Sequence, residues 1–318
     1  ALGSAGFFGM NCSGVPSPGQ ACWAWLLAAL SILVVLSSVV LRLDAGYPSC
    51  IGDPGCVKDA AAAWGWALPI AAIRAAHRAT ASIALVLAIA FAWKYRRSPL
   101  ARHGRVLVLL MLFLAVVGVT GSGPDAVWGR FANILGGLGL LALSGRLLLA
   151  TAAPAAVASR PAVAPVLRAG LVALAATFVL GALIGARFAA AACTSLPDCG
   201  GIWWPTAEGW AGLDPRIVLS PAPLPGESAA VALHLLHRYF AAAAILLLGF
   251  AGFRGLRQQE TRTPSLVLLS LLIMGAMLGS LSVTSDSLWP MVGHALLAGL
   301  VVVGVHWLIG AERRGASA

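Results

Sequence analysis

The sequence predicts an all-α integral membrane protein with eight transmembrane helices, arranged as two tandem, duplicated four-helix bundles. Three observations support this fold class. The 318 residues are 60% hydrophobic and only 10% charged, whereas soluble domains carry roughly 25% charged residues. Long Ala- and Leu-rich runs recur along the chain, each near the ~20 residues that cross the hydrocarbon core as a helix. Finally, two parts of the chain repeat each other.

Eight apolar runs define the candidate spans. Ala and Leu, which dominate them, favour helix, and the runs do not alternate as the strands of a membrane barrel would. The predicted spans are 22–42, 67–93, 106–122, 127–150, 165–188, 228–253, 264–284 and 288–311. Residues 1–21 contain no Lys or Arg, so they do not resemble a signal peptide, which opens with a basic region.

The second part of the chain repeats the first. Residues 115–137 align without a gap with the segment that begins at residue 276. The matched pairs are Gly118 with Gly279, Asp125 with Asp286, Trp128 with Trp289, and Asn133 with His294. The pair His77-Arg78 matches His237-Arg238 at nearly the same offset. Four spans separate the copies, so both copies are expected to have the same topology, as in parallel repeats.

This repeat divides the chain into two halves joined by a linker. The expected domains are an N-terminal segment (1–21), an N-terminal four-helix half (22–150), an Ala/Pro-rich cytoplasmic linker (151–164) and a C-terminal four-helix half (165–318). In each half a span is followed by a cysteine-bearing loop, a span that opens with His-Arg, an inner loop, and two spans joined by an outer turn.

Basic residues gather on one side of the predicted membrane layer. They are Lys94, Arg96, Arg97, Arg102, Arg105, Arg146, Arg160, Arg168, Arg254, Arg257, Arg262, Arg313 and Arg314. Short loops rich in Lys and Arg stay cytoplasmic, so both termini are expected in the cytoplasm and the cysteine loops outside a bacterial-type inner membrane. The net charge of +10 then reflects topology. Nucleic-acid binding would need a solvated basic face with interleaved aromatics.

Four of the six cysteines form two pairs of identical spacing in the outer loops, Cys50 with Cys56 and Cys193 with Cys199. On an oxidising face such pairs favour two disulfides. The competing interpretation is a zinc site, which usually combines more closely spaced cysteines with further ligands.

Two histidines stand at equivalent depth in the C-terminal half, His237 on span six and His294 on span eight. Haem iron takes axial imidazole ligands, and facing helices of a bundle build such sites. Arg238 beside His237 is suited to pair with a haem propionate, and Arg78 stands at the matching place beside His77. The alternative is a pair of packing histidines, although ionisable residues within spans are costly and usually functional.

The other histidines carry weaker predictions. His103 is expected to be solvated in the basic inner loop, and His306 to be a polar residue near the cytoplasmic end of span eight. His234, one turn before His237, is either a partner of the site or a polar residue at the helix mouth. In the first half Asn133 occupies the place of the second histidine, and Asn is a poor iron ligand.

These motifs together resemble the haem A synthase family, eight-span enzymes that oxidise haem O to haem A for cytochrome oxidase. The matching features are CTSLPDCGGIWWP (193–205), YPSCIGDPGC (47–56), the His-Arg pairs at 77–78 and 237–238, and the Gly-His pair at 293–294. The resemblance covers nearly the whole chain, from the first span to the eighth.

The resemblance implies a haem b in the C-terminal half, with His237 and His294 as axial ligands of the iron. It also implies that the N-terminal half binds the haem substrate through two histidines and a glutamate. Only His77 carries over as a catalytic residue there, because Asn133 and Arg74 occupy the other two positions. The first half is therefore expected to be a degenerate substrate-type site, in which a second haem is an open question.

Two functions compete at this stage. The chain is either a haem A synthase-like oxidoreductase or a catalytically degenerate relative that serves as a haem b electron-transfer or accessory subunit of a respiratory complex. The expected partners are membrane lipids, haem, and subunits of cytochrome oxidase or another respiratory complex, with no nucleic acid. A transporter would show broken helices and intramembrane acidic residues, which this sequence does not.

Overall fold

The computed structural model describes residues 18–45, 69–120, 126–152, 165–219, 226–285 and 288–315. Most of these residues are helical, and no strand occurs among them. The helices are α1 (Pro18–Ala45), α2 (Ile70–Lys94), α3 (Ala101–Thr120), α4 (Val127–Ala152), α5 (Pro165–Ala186), α6 (Ala207–Ala211), α7 (Pro215–Val218), α8 (Gly226–Gly255), α9 (Gln259–Thr284) and α10 (Leu288–Gly315). All except the short α6 and α7 are long and apolar enough to cross a membrane. The predicted class, an all-helical protein with eight spans, is confirmed.

Several helices extend beyond the predicted spans. The helix α9 begins at Gln259, more than a turn before Pro264, so this proline lies inside the helix, where it removes one backbone hydrogen bond. The helix α3 begins at Ala101 and includes His103, which is half-buried rather than solvated in a loop. Apolar runs mark only the hydrocarbon-crossing part of a helix, so polar residues that continue it were wrongly assigned to the loops.

The first four long helices form a closed bundle in which α1 and α3 each pack against both α2 and α4. Its core contains Leu27, Phe91, Leu107 and Leu140, one from each helix. The hydroxyls of Ser31 on α1 and Ser144 on α4 form a buried hydrogen bond across this core, 2.8 Å long. The Ser31 hydroxyl donates to the carbonyl of Leu27 on its own helix, so it accepts from Ser144.

The second four long helices pack in sequence, α5 on α8, α8 on α9 and α9 on α10. Leu174, Leu248, Leu268 and Val305 are buried between them. Over the described residues α5 makes at most marginal contact with α10, whereas the corresponding pair in the first group, α1 and α4, packs closely. The second group is therefore the more open of the two. The groups meet where α4 packs against α5 and α10.

Large apolar side chains cover the outside of the bundle. Val86, Leu109, Leu246 and Ile273 are all 60% or more exposed. In water such a surface would drive aggregation, but it is the expected surface of helices whose solvent is lipid.

The segment from 187 to 219, between α5 and α8, lies at one end of the bundle, which we call the loop side. It contains the disulfide Cys193–Cys199 and the two short helices. Thr206 caps α6 by accepting from the N–H of Gly209, and Asp214 caps α7 by accepting from the N–H of Arg216. Such caps allow short helices to form in a loop.

Candidate functional site

The loop-side part of α8 is rich in small residues and is covered by the α5–α8 loop. A Cβ added to Gly209 would lie 2.9 Å from the Ser228 carbonyl oxygen, and one added to Gly212 would lie 2.4 Å from the Ala229 Cβ. Glycine therefore permits the backbone of this loop to approach α8 closely. The disulfide packs on the same helix, where Cys193 and Cys199 cluster with Val231 and Leu235.

Two further contacts fix the loop beside His237. The Nε2 of His234 donates to the Ala189 carbonyl at 2.8 Å, and His234 is 6% exposed. The guanidinium of Arg238 donates to the carbonyls of Asp198 at 2.6 Å and Pro197 at 3.3 Å. His234 is therefore a buried residue that bonds to the loop, and its role as a partner of the site stays a prediction. The disulfide loop is thus tied to the helix that carries His237.

His237 on α8 and His294 on α10 face each other across the second group of helices. Their ring centres are 6.3 Å apart, and the ring planes are nearly perpendicular at 79°. Metal–imidazole bonds are about 2 Å long, so a metal in line between two imidazoles separates their ring centres by about 6 Å. The observed spacing fits that geometry, and it also falls within the roughly 4.5–7 Å range of rings that pack edge to face.

Both rings donate through the same nitrogen. The Nδ1 of His237 lies 3.0 Å from the carbonyl oxygen of Thr177 on α5, and the Nδ1 of His294 lies 3.0 Å from the carbonyl oxygen of Gly275 on α9. A carbonyl oxygen can only accept, so each Nδ1 carries the proton and each Nε2 presents a lone pair. Histidines that bind metal usually have such a partner, which fixes the tautomer and ring orientation.

Each carbonyl acceptor is followed, four residues later, by a glycine that lies against the same histidine. A Cβ added to Gly181 would lie 3.1 Å from Cε1 of His237, and one added to Gly279 would lie 2.9 Å from Cε1 of His294. The missing side chain gives each ring access to a helix carbonyl one turn away. The helices α5 and α9 thus hold their histidine rings in the same way, each with a backbone carbonyl and a glycine four residues later.

The donor set suits a haem better than a bare ion. Among the described residues no group of three or more His, Cys, Asp or Glu side chains could hold a metal ion. A haem iron already has four porphyrin nitrogens and needs only one or two protein ligands. The two Nε2 atoms satisfy that requirement.

The comparison with protein-family models agrees with this chemistry. The model described as cytochrome oxidase assembly protein, COX15-CtaA, matches residues 132–305, more than half of the chain. The chain belongs to the haem A synthase family. The matched region includes both His237 and His294. No curated protein matches the chain with statistical significance.

In the first group of helices, His77 stands at the position that aligns with His237. The Nδ1 of His77 on α2 lies 2.8 Å from the hydroxyl of Ser37 on α1. His77 is therefore held by a side-chain hydroxyl of α1, whereas His237 is held by a backbone carbonyl of α5.

The residue that aligns with His294 is different in the first group of helices. Asn133 stands where the aligned half has His294, and a Cβ added to Gly118 would meet nothing within 4 Å. At the aligned Gly279 the His294 ring fills that space. Arg74 and Arg78 on α2 are both exposed. Among the described residues the His77 ring bonds to Ser37, and no hydrogen bond joins it to Asn133 or Arg74.

The remaining predicted residues are placed as follows. The Nδ1 of His103 is buried without a hydrogen-bond partner within the described part of the chain. His306 bonds to the carbonyl of Val302 on its own helix, which agrees with a polar residue of the bundle. The predicted disulfide Cys50–Cys56 lies outside the described residues. The sulfurs of Cys193 and Cys199 lie at disulfide distance, which favours the disulfide over the zinc interpretation for that pair.

Sequence reasoning missed Thr177, Gly181 and Gly275. The repeat did align Gly118 with Gly279, and that match was the one indication in the sequence that a glycine is needed at this position. Backbone acceptors leave no such signal, since any residue can supply a carbonyl.

Proposed function

We propose that this member of the cytochrome oxidase assembly family binds one haem b between His237 and His294 and acts as a haem A synthase-like protein. The observation that carries the proposal is the pair of Nε2 lone pairs, set by two Nδ1–H donors and a 6.3 Å ring separation. A haem bound there would supply a one-electron carrier. The chain itself orients both imidazoles, and the α5–α8 loop covers the side of α8 beside them.

The proposed reaction is the oxidation of haem O to haem A, with the substrate in the first group of helices. There His77 would bind the substrate iron, with its ring fixed by Ser37. Arg78 and Arg238 are proposed to attract propionates, although Arg238 already gives donors to the Cys193–Cys199 loop. A guanidinium has five N–H donors, so one Arg238 side chain has the capacity for both roles.

A catalytically degenerate relative is the second candidate, and two observations favour it. The family match begins at residue 132, so it leaves most of the first four spans unmatched. In addition, Arg74 replaces a carboxylate that would steady a developing positive charge or accept a proton. Such a protein would keep haem b and serve as an electron-transfer or accessory subunit of a respiratory complex.

We further propose that the two groups of helices are tandem copies, joined by a cytoplasmic linker at 151–164, with the loop side outside the membrane. In each group the Nδ1 of the His-Arg histidine bonds to the first helix of that group, His77 to α1 and His237 to α5, which supports the duplication. The basic residues of the opposite side support the orientation.

Pigment extraction from the purified protein and complementation of a strain that lacks haem A synthase test the function. Haem b together with haem O or haem A, and restored haem A in the strain, are the results expected of a synthase. Haem b alone without complementation would select the accessory role. Purification without any haem, from cells that make it in excess, would overturn both.

A further inference from the structure

A cluster of exposed aromatic side chains lies on the α5–α8 loop, apart from the two facing histidines. Trp203, Trp204 and Trp210 are 59%, 62% and 43% exposed. The ring centre of Trp204 is 5.8 Å from that of Trp210 and 5.8 Å from that of Tyr239 on α8. The Tyr239 hydroxyl donates to the Trp203 carbonyl. These four residues form one contiguous surface, which we call the aromatic patch.

The backbone that carries the patch is fixed on both sides of the tryptophans. Before them, Cys199 and Ile202 exchange two backbone hydrogen bonds of 3.0 and 3.1 Å. Gly200 and Gly201 between them have φ of 61° and 87°, as in the tight hairpin turns that glycine favours. After them, Gly209 on α6 packs against the backbone of α8. The exposed rings are therefore presented by a closed loop that is attached to α8.

Tyr239 connects the patch with the lipid-facing side of α8. Leu246, Phe250 and Phe253 are each more than half exposed, and they follow Tyr239 by 7, 11 and 14 residues. At 3.6 residues per turn these four positions fall on one face of the helix. An exposed apolar face on a membrane-crossing helix is the surface that lipid covers. The aromatic patch therefore continues the lipid-facing surface of α8 onto the α5–α8 loop.

The composition of the patch suits the membrane–water interface. Tryptophan and tyrosine combine a large apolar ring with one polar group, and both are enriched where acyl chains meet headgroups. In water the same rings would form an exposed apolar patch that favours association. Glu208 is exposed on α6 beside the patch, and a carboxylate is costly in hydrocarbon. The headgroup layer therefore suits this loop better than either bulk water or the acyl region.

We propose that the aromatic patch anchors the α5–α8 loop in the phospholipid headgroup layer on the loop side of the membrane. Its partner is the lipid surface beside α8, and the rings of Trp203, Trp204 and Trp210 lie among the upper parts of the acyl chains. The loop then lies on the membrane rather than extending into water. The anchor is independent of the proposed haem chemistry, because it uses neither His237 nor His294.

The test uses the full chain in nanodiscs of phosphatidylcholine, with or without bromine on the acyl chains close to the headgroup. The chain has 11 tryptophans, so the emission of each patch ring is the difference between wild type and Trp203→Phe, Trp204→Phe or Trp210→Phe. Trp93→Phe is the matched control, because Trp93 is 71% exposed on the membrane-crossing helix α2 and lipid bromine should quench it. Iodide in the water measures access from the opposite direction.

The expected result is that lipid bromine quenches the patch tryptophans as strongly as it quenches Trp93. If bromine quenches them clearly less than Trp93, the proposal is wrong, and strong quenching by iodide would then identify a water-exposed surface for a protein partner. A second measurement needs no variant and so does not depend on folding of the substituted chains. Phosphatidylcholine with a photoreactive group near the headgroup should label residues 203–210 of the wild-type chain, and labelling confined to the membrane-crossing helices would overturn the anchor.

Discussion

At the scale of single residues, the most informative feature is the proton on each site imidazole. The donor Nδ1–H of His237 and of His294 is committed to a backbone carbonyl, so neither ring can rotate freely or change tautomer without breaking a bond in an apolar environment. Breaking such a buried bond costs about 1–3 kcal/mol. The orientation and tautomer of both rings are therefore fixed before any ligand binds.

His237→Ala and His294→Ala should each abolish the low-spin bis-imidazole spectrum. Removal of a direct ligand should lower haem affinity by at least the roughly 10–100-fold that loss of a supporting partner costs. Haem content per chain and the visible spectrum are the measurements. His306→Ala on α10 is the control, because His306 bonds within its own helix and should leave both unchanged. Normal spectra in both site variants would refute the ligation.

The sequence predicted that these two histidines lie at equivalent depth, because both stand near the outer ends of their spans, and the structure places their rings 6.3 Å apart. Their role as haem ligands stays a prediction. The role of Arg238 was harder to predict. Its guanidinium reaches the carbonyls of Pro197 and Asp198 only because the α5–α8 loop folds back along α8. That contact depends on the packing of a loop some forty residues earlier in the chain, which no local pattern encodes.

At the scale of helices, each site histidine depends on a carbonyl and a glycine on a neighbouring helix. Thr177 and Gly181 serve His237 from α5, and Gly275 and Gly279 serve His294 from α9. A glycine inside a helix costs up to about 1 kcal/mol relative to alanine. The close approach of the ring explains why the cost is tolerated at Gly181 and Gly279.

Gly279→Ala should weaken haem binding about tenfold or more, since the new Cβ would lie 2.9 Å from Cε1 of His294 and displace the ring. Gly275→Ala is a matched control on the same helix. A Cβ there meets nothing within 4 Å, and the carbonyl that accepts from His294 is kept. Haem titration of the two variants measures the difference, and equal affinities would show that ring position does not depend on Gly279.

The sequence also predicted the helices themselves, because a run of about twenty apolar residues has few alternatives to a helix in a membrane. It did not predict where they end. Gln259 to Thr261 extend α9 before Pro264, and Ala101 to Arg105 extend α3. Polar residues continue a helix once water or headgroups satisfy their side chains, so hydropathy reports only the part within hydrocarbon.

At the scale of the whole molecule, the two groups of helices differ in how open they are. The contact of α1 with α4 is close and includes the hydroxyl pair of Ser31 and Ser144. The corresponding helices of the second group, α5 and α10, barely meet among the described residues. The open group is the one with two facing histidines. The closed group is the one in which Asn133 has replaced the second.

Asn133→His combined with Arg74→Glu should raise the haem content from one to two per chain. The new imidazole would face the open space beside Gly118, and the glutamate would restore the charge pattern that the family resemblance implies. Pyridine haemochrome analysis of the purified variant gives the stoichiometry, and Asn133→Gln is the control that adds length without a ligand. A stoichiometry that stays at one would indicate that the packing of α1 on α4 closes the first site.

The placement of the two facing histidines on α8 and α10 also has a consequence for biogenesis. During synthesis His237 enters the membrane first, and His294 follows only after α9 has crossed in the opposite direction. Until then His294 and the carbonyl of Gly275 that orients it are not in place. Haem capture through both imidazoles, as proposed, would therefore be a late event in the insertion of the chain. Ribosome-bound chains arrested between α8 and α10 would hold the prosthetic group weakly, through one imidazole at most.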